Sequence, residues 1–170
     1  MSVATQALFP VPRGLAIALA AAGPVAAGGL LAARAHDVSP MLAAPAIVFG
    51  VVAATGPALY IATAAAGHAP PLAAVIRAFG IGLGAFGLAL AGLILPAAFI
   101  ALSSVTATTT IAAATVAVAA AAVLGLRRLA AELQIGARSP ITSVVFVVWA
   151  VATASIAGRL WWELAVEVVS

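Results

Sequence analysis

Residues 72–102 read LAAVIRAFGIGLGAFGLALAGLILPAAFIAL, an apolar stretch whose one charged side chain is Arg77. A helix rises about 1.5 Å per residue and a bilayer's hydrocarbon core is about 30 Å thick, so about 20 such residues make a crossing. The stretch is longer than one upright crossing needs. Its reading is an interfacial turn around Arg77 followed by a span over residues 79–100, with Pro96 near the far end. A helix that is apolar on every face belongs in lipid or in the centre of a large protein, and a chain of 170 residues offers no large protein around it.

The rest of the chain repeats the pattern. Residues 14–33 follow Arg13 and end at Ala33-Arg34-Ala35. That small-residue ending resembles a signal-peptide cleavage site, but about 20 apolar residues is long for a signal's hydrophobic region, so a retained first span is expected. After the polar break Arg34 to Pro40, residues 41–65 form a second span. Proline inside a helix removes a donor, so Gly56 and Pro57 predict a kink between Thr55 and Tyr60. Gly67-His68-Ala69-Pro70-Pro71 reads as a loop. Ser103 to Thr110 suits a short connection, and a fourth span covers residues 111–126. Arg127, Arg128, Glu132 and Arg138 mark the longest polar connection, read as a helical extension ending near Gly136. Pro140 opens a fifth span over residues 140–160.

The expected fold is therefore all-α: a polytopic helical bundle of about five transmembrane helices, with residues 1–170 forming one membrane domain and no soluble domain. Composition agrees. The chain is alanine-rich, 66% hydrophobic and 6% charged, with a mean hydropathy of +1.29; soluble domains carry about 25% charged residues.

The net charge of +3 comes from seven arginines without lysine, set against Asp37, Glu132, Glu163 and Glu167. Nucleic-acid binding needs basic residues gathered on a solvated face, and these arginines stand singly or in pairs between apolar runs, so no nucleic-acid partner is expected. Their distribution carries topology instead. With the amino terminus in the cytoplasm, Arg13, Arg77, Arg127, Arg128 and Arg138 lie inside, whereas Arg34 and Arg159 lie outside, a positive-inside bias that places the carboxyl terminus outside. We read Arg13, Arg77, Arg127, Arg128, Arg138, Arg159, Trp161 and Trp162 as membrane-interface anchors. The alanine- and arginine-rich composition points to a bacterial inner (cytoplasmic) membrane.

Residues able to carry chemistry are few. A charge at mid-bilayer costs at least about 2.5–3.5 kcal/mol, and ion-driven transport ordinarily retains one there. Arg77 and Arg159 come nearest, and both are close enough to an interface to snorkel. His36 and His68 fall on opposite sides of the membrane, which forbids a bis-histidine haem site within one chain. Cysteine is absent, and neither a zinc pattern nor a nucleophile elbow occurs. No catalytic set, cofactor or metal is expected. The hydroxyls of Thr55, Tyr60, Thr63, Thr153 and Ser155 are placed to bond between helices or to line a narrow polar path. Trp149, inside the fifth span, should turn inward or find an acceptor for its indole N–H.

Gly80, Gly84, Gly87 and Ala91 share one helical stripe, at offsets of four, seven and eleven residues. Small residues so spaced let another backbone approach closely, either within the bundle or from another subunit. Arg159, Glu163 and Glu167, each four residues apart, form a charged ladder if the last helix continues that far. Alanine-rich spans such as residues 112–123 are only weakly hydrophobic and present smooth surfaces, from which we expect several faces to be covered by neighbouring proteins rather than lipid.

Gly56-Pro57-Ala58-Leu59-Tyr60, the Pro70-Pro71 loop, Leu95-Pro96 and the closing stretch Trp149 to Trp162 together resemble small uncharacterised bacterial multi-spanning proteins with a Yip1-like five-helix plan, over residues 49–162. That resemblance implies a role in membrane organisation and transfers no catalytic residue. The acidic amino-terminal domain and the Asp-Leu-Tyr-Gly-Pro type motif of the family are missing here.

The functional expectation is a non-enzymatic integral membrane subunit or scaffold, its partners being the lipid bilayer and other integral membrane proteins or a second copy of itself. The alternative is a transport or channel component: a homo-oligomeric pore or the substrate-binding membrane subunit of a transporter. A pore or binding subunit predicts a polar cavity near the midplane. A scaffold predicts a solid interior with small-residue stripes facing outward.

Overall fold

A computed structural model describes residues 13–67, 69–103, 106–136 and 139–167. It contains five helices in chain order: α1 (Arg13–Ala35), α2 (Ser39–Ala65), α3 (Leu72–Ser103), α4 (Ala107–Glu132) and α5 (Pro140–Glu167). The fold is all-helical. Helices α2 to α5 are each long and apolar enough to cross a membrane, and the apolar part of α1, Ile17–Ala33, is shorter.

The helix ends follow local chemistry. His36 adopts φ 54° after α1, and Asp37 accepts the backbone N–H of Ser39 at 3.2 Å as α2 begins. Gly67 takes φ 72° beyond α2, a left-handed conformation in which glycine has no Cβ to clash. Thr106 caps α4, its hydroxyl accepting the N–H of Thr109 at 3.4 Å. The polar extension after Arg128 remains helical to Glu132, then turns through Gln134 (φ 54°) and Gly136 (φ 87°).

One expectation is corrected. No turn forms at Arg77: α3 is helical without interruption from Leu72. Leu72 to Phe79 contains neither glycine nor proline, and Val75 and Ala78 on this first part are buried against Leu59 and Leu129, so packing rewards continuing the helix. At about 1.5 Å per residue, α3's 32 residues extend about 48 Å, well beyond a hydrocarbon core. The prolines inside helices, Pro24, Pro45, Pro57 and Pro96, leave α1, α2 and α3 unbroken.

The helices follow one another around a ring in the order α5, α2, α1, α3, α4. The tightest pair is α3 with α4, then α1 with α3, whereas α4 and α5, which would close the ring, scarcely touch. Small residues explain the tight pairs. A Cβ added at Gly87 would lie 2.6 Å from the carbonyl oxygen of Ala20, and one added at Gly23 would lie 2.8 Å from Leu90 Cβ, so α1 and α3 meet backbone to backbone. On α4, Thr110, Ala114, Ala117, Ala121, Gly125 and Leu129 form one buried stripe. Its alanines pack with Phe86, Leu90 and Ile94 of α3. In lipid, where no water is released, such close approach supplies the dispersion contacts that hold helices together.

Candidate functional site

The candidate site lies where the ring is weakest. Between α2, α3, α4 and α5 is a cavity of about 150 Å3, walled by residues such as Val51, Phe79, Phe86, Ala122, Leu126, Trp149 and Ala154. Each helix offers one stripe. On α4, Val118, Ala122, Leu126 and Leu129 are three or four residues apart, and on α5 the wall runs through Ala150, Ala154 and Ala157. The α5 stripe falls in the middle of its helix, and the α4 stripe runs from the middle of α4 to Leu129, close to its end at Glu132.

Its polar wall groups, Trp149 and Thr153, are turned away from the space. Trp149 Nε1 donates to the carbonyl oxygen of Thr55 at 2.8 Å. Thr153 Oγ1 donates to Thr55 Oγ1 at 3.1 Å, and Thr55 Oγ1 donates in turn to the Val51 carbonyl at 2.8 Å. This relay spans the stretch of α2 weakened by Pro57, which has no N–H to give to the carbonyl of Ala53. Phe79 stands edge-on to Trp149 at 5.7 Å between ring centroids, and the Phe146 ring lies tilted to it at 5.8 Å. No buried side-chain nitrogen or oxygen among the described residues lacks a partner. The interior is thus neither polar nor solid: it contains an apolar space with its hydrogen bonds already made.

Two features bound the seam between α4 and α5. Trp161 Nε1 donates to Thr115 Oγ1 at 2.9 Å, joining the start of α4 to the end of α5. Toward the other end, Leu129 and Leu133 of α4 and its following turn cluster with Phe146 and Trp149.

The residues singled out in the sequence are distributed as follows. Gly87 sits in the α1–α3 contact, Ala91 is half-buried, and Gly80 and Gly84 have no atom of the described residues within 4 Å of an added Cβ. Close approach to α4 runs instead through Gly82 and Gly125: a Cβ at Gly125 would stand 2.8 Å from Phe86 Cβ. A Cβ at Gly56 would meet the Phe79 ring at 3.6 Å, and Pro57 is exposed. The tryptophan pair divides, Trp162 being 64% exposed and Trp161 only 9%.

Arg77, Arg127 and Arg128 are exposed near helix ends. Arg128 pairs with Glu132, and Arg159 with Glu163, each at 2.8 Å. Helix α5 continues to Glu167, so the charged ladder is on one helix. Arg138 and His68 lie outside the described residues, as does the side chain of Arg13. Thr63 donates within α2 to Leu59 and Tyr60, and Ser155 within α5 to Val151. Of the hydroxyls, Thr55 and Thr153 are the pair that the structure brings together across helices.

Sequence reasoning missed Gly82 and Gly125, the acceptor role of Thr115 and the cavity itself. The offset Gly82–Phe86 on α3 carries no signature of its own. Comparison adds no relative: no family model, curated protein or solved structure matches the chain.

Proposed function

We propose that this chain is a non-enzymatic subunit of a membrane assembly, held against other integral membrane proteins by the outward face of α3. The observation that carries the reading is the open pair Gly80 and Gly84. Glycine costs about 1 kcal/mol relative to alanine in a helix interior, and inside the bundle Gly87 and Gly125 offset that cost by letting backbones meet. Among the described residues, nothing stands within 4 Å of a Cβ added at Gly80 or Gly84. Four residues apart, they form the small-residue face on which a second helix approaches closely in lipid.

In this reading the chain is a multi-pass protein of a bacterial inner membrane, amino terminus in the cytoplasm and carboxyl terminus outside. Arg77, Arg127 and Arg128 then lie at the cytoplasmic headgroups and Trp162 at the opposite interface, in keeping with the positive-inside bias and the aromatic belt. A role in organising membrane assemblies is also what the Yip1-like resemblance implies.

The test is mild-detergent extraction of tagged protein from its native membrane, with affinity capture and mass spectrometry, on the wild type and on Gly80→Ile and Gly84→Ile. The reading expects a membrane protein to co-purify in fixed stoichiometry and to be lost with either substitution. A monodisperse, stable monomer from wild-type membranes contradicts it.

A further inference from the structure

We propose that the cavity between α2, α3, α4 and α5 is a binding site for a segment of one acyl chain of a membrane lipid, which enters sideways between α4 and α5. The inference depends on the chain lying in a bilayer and not on the subunit reading above.

Shape is the first argument. The α4 wall runs from Val118 to Leu129 and the α5 wall from Trp149 to Ala157, about 16 Å and about 12 Å at 1.5 Å per residue. The space is a slot running along the helices, hence along the direction of the surrounding hydrocarbon chains. Its volume, about 150 Å3, is of the size at which an apolar cavity stays dry and accepts a small hydrocarbon. A helix with side chains is about 10–12 Å across and does not fit.

Chemistry is the second. The indole of Trp149 and the hydroxyl of Thr153 spend their hydrogens on Thr55, leaving the slot no donor with which to hold water or a headgroup. A hydrocarbon tail needs none.

Access is the third. The Trp161–Thr115 bond pins the seam toward one end and the Phe146–Trp149 cluster fills it toward the other, so the opening lies at mid-helix, where acyl chains are the surrounding solvent. Small side chains edge it, among them the exposed Ala154.

The test reconstitutes the purified full chain in phosphatidylcholine vesicles in which a fraction of the lipid carries a diazirine in its acyl chain, followed by irradiation and peptide mapping. The proposal expects adducts enriched on the cavity-lining Ala122, Leu126, Ala150 and Ala157 over the outward side of α3 at Leu95 and Phe99. It also expects Ala154→Leu and, independently, Ala157→Leu to remove the adducts on the cavity-lining Ala122, Leu126 and Ala150, while those on the outward Val123, Leu124, Val151 and Ile156 and on α3 remain. Equal labelling of cavity and outward faces, or cavity labelling that survives both substitutions, overturns it. So does an unlabelled cavity in the wild type, the result if a side chain of a second copy fills the slot; that comparison holds even if a filled variant fails to fold.

Discussion

Glycines a few residues apart on α3 have opposite duties. At Gly87 the backbone of α1 occupies the place of a side chain, so Gly87→Ala must move α1 and is expected to cost about 1–3 kcal/mol, as overpacking does. At Gly80 the space is open, and Gly80→Ala in the isolated chain is expected to leave stability unchanged or to add up to about 1 kcal/mol through helix propensity. Unfolding in mixed detergent, read by circular dichroism, separates the two. The Thr55–Thr153 pair gives a second measurement at this scale. A double-mutant cycle of Thr55→Ala and Thr153→Ala should return a coupling of about 0.6 kcal/mol, the typical worth of an interhelical bond in lipid, and a coupling of zero would detach the relay from stability. Asp37, in the connection outside the spans, adds a pH dependence. The hydroxyl of Ser39, and then its backbone N–H, hold the Asp37 carboxyl below its ordinary range. A folded value lower than the unfolded one means that this support of the α2 start is complete above the unfolded value, about 3.9, and is lost as pH falls through the folded value. Amide exchange at Ser39 should accelerate below that point, and Asp37→Asn should abolish the pH step.

Among the elements, α4 and α5 form the least supported pair of neighbours. Trp161→Phe keeps an aromatic ring in place but removes the N–H that reaches Thr115. The expected result is a broader distance distribution between spin labels placed on the outer faces of α4 and α5, with the α3–α4 distance unchanged; broadening of both would mean that Trp161 supports the whole bundle. The sequence made the helices legible because their termini carry local chemistry: Gly67 beyond α2, Thr106 before α4, Pro140 at the start of α5. It did not make the packing legible. Where a chain has glycine or alanine on every face, periodicity singles out Gly80, Gly84, Gly87 and Ala91 as readily as the set that meets α4, and only the neighbour's position decides between them. The start of α3 shows the same limit, because Val75 and Ala78 extend the helix through contacts with α2 and α4 that no local window contains. Trp149 and Trp161 likewise find acceptors at sequence separations of 94 and 46 residues.

For the whole molecule, the two proposals rest on different features: a small outward face on α3 for a protein neighbour, and a slot at the weakly closed α4–α5 seam for hydrocarbon. Both presuppose that the helices traverse a bilayer in alternating directions. The chain contains no cysteine, so single cysteines report on topology without a background. The most direct measurement places one in turn at Val38, Ala69, Thr108 and Ala131, all exposed near helix ends, and labels intact and permeabilised cells with a membrane-impermeant maleimide. The account predicts that positions 38 and 108 react in intact cells and that 69 and 131 react only after permeabilisation. Reaction of all four from one side would contradict it.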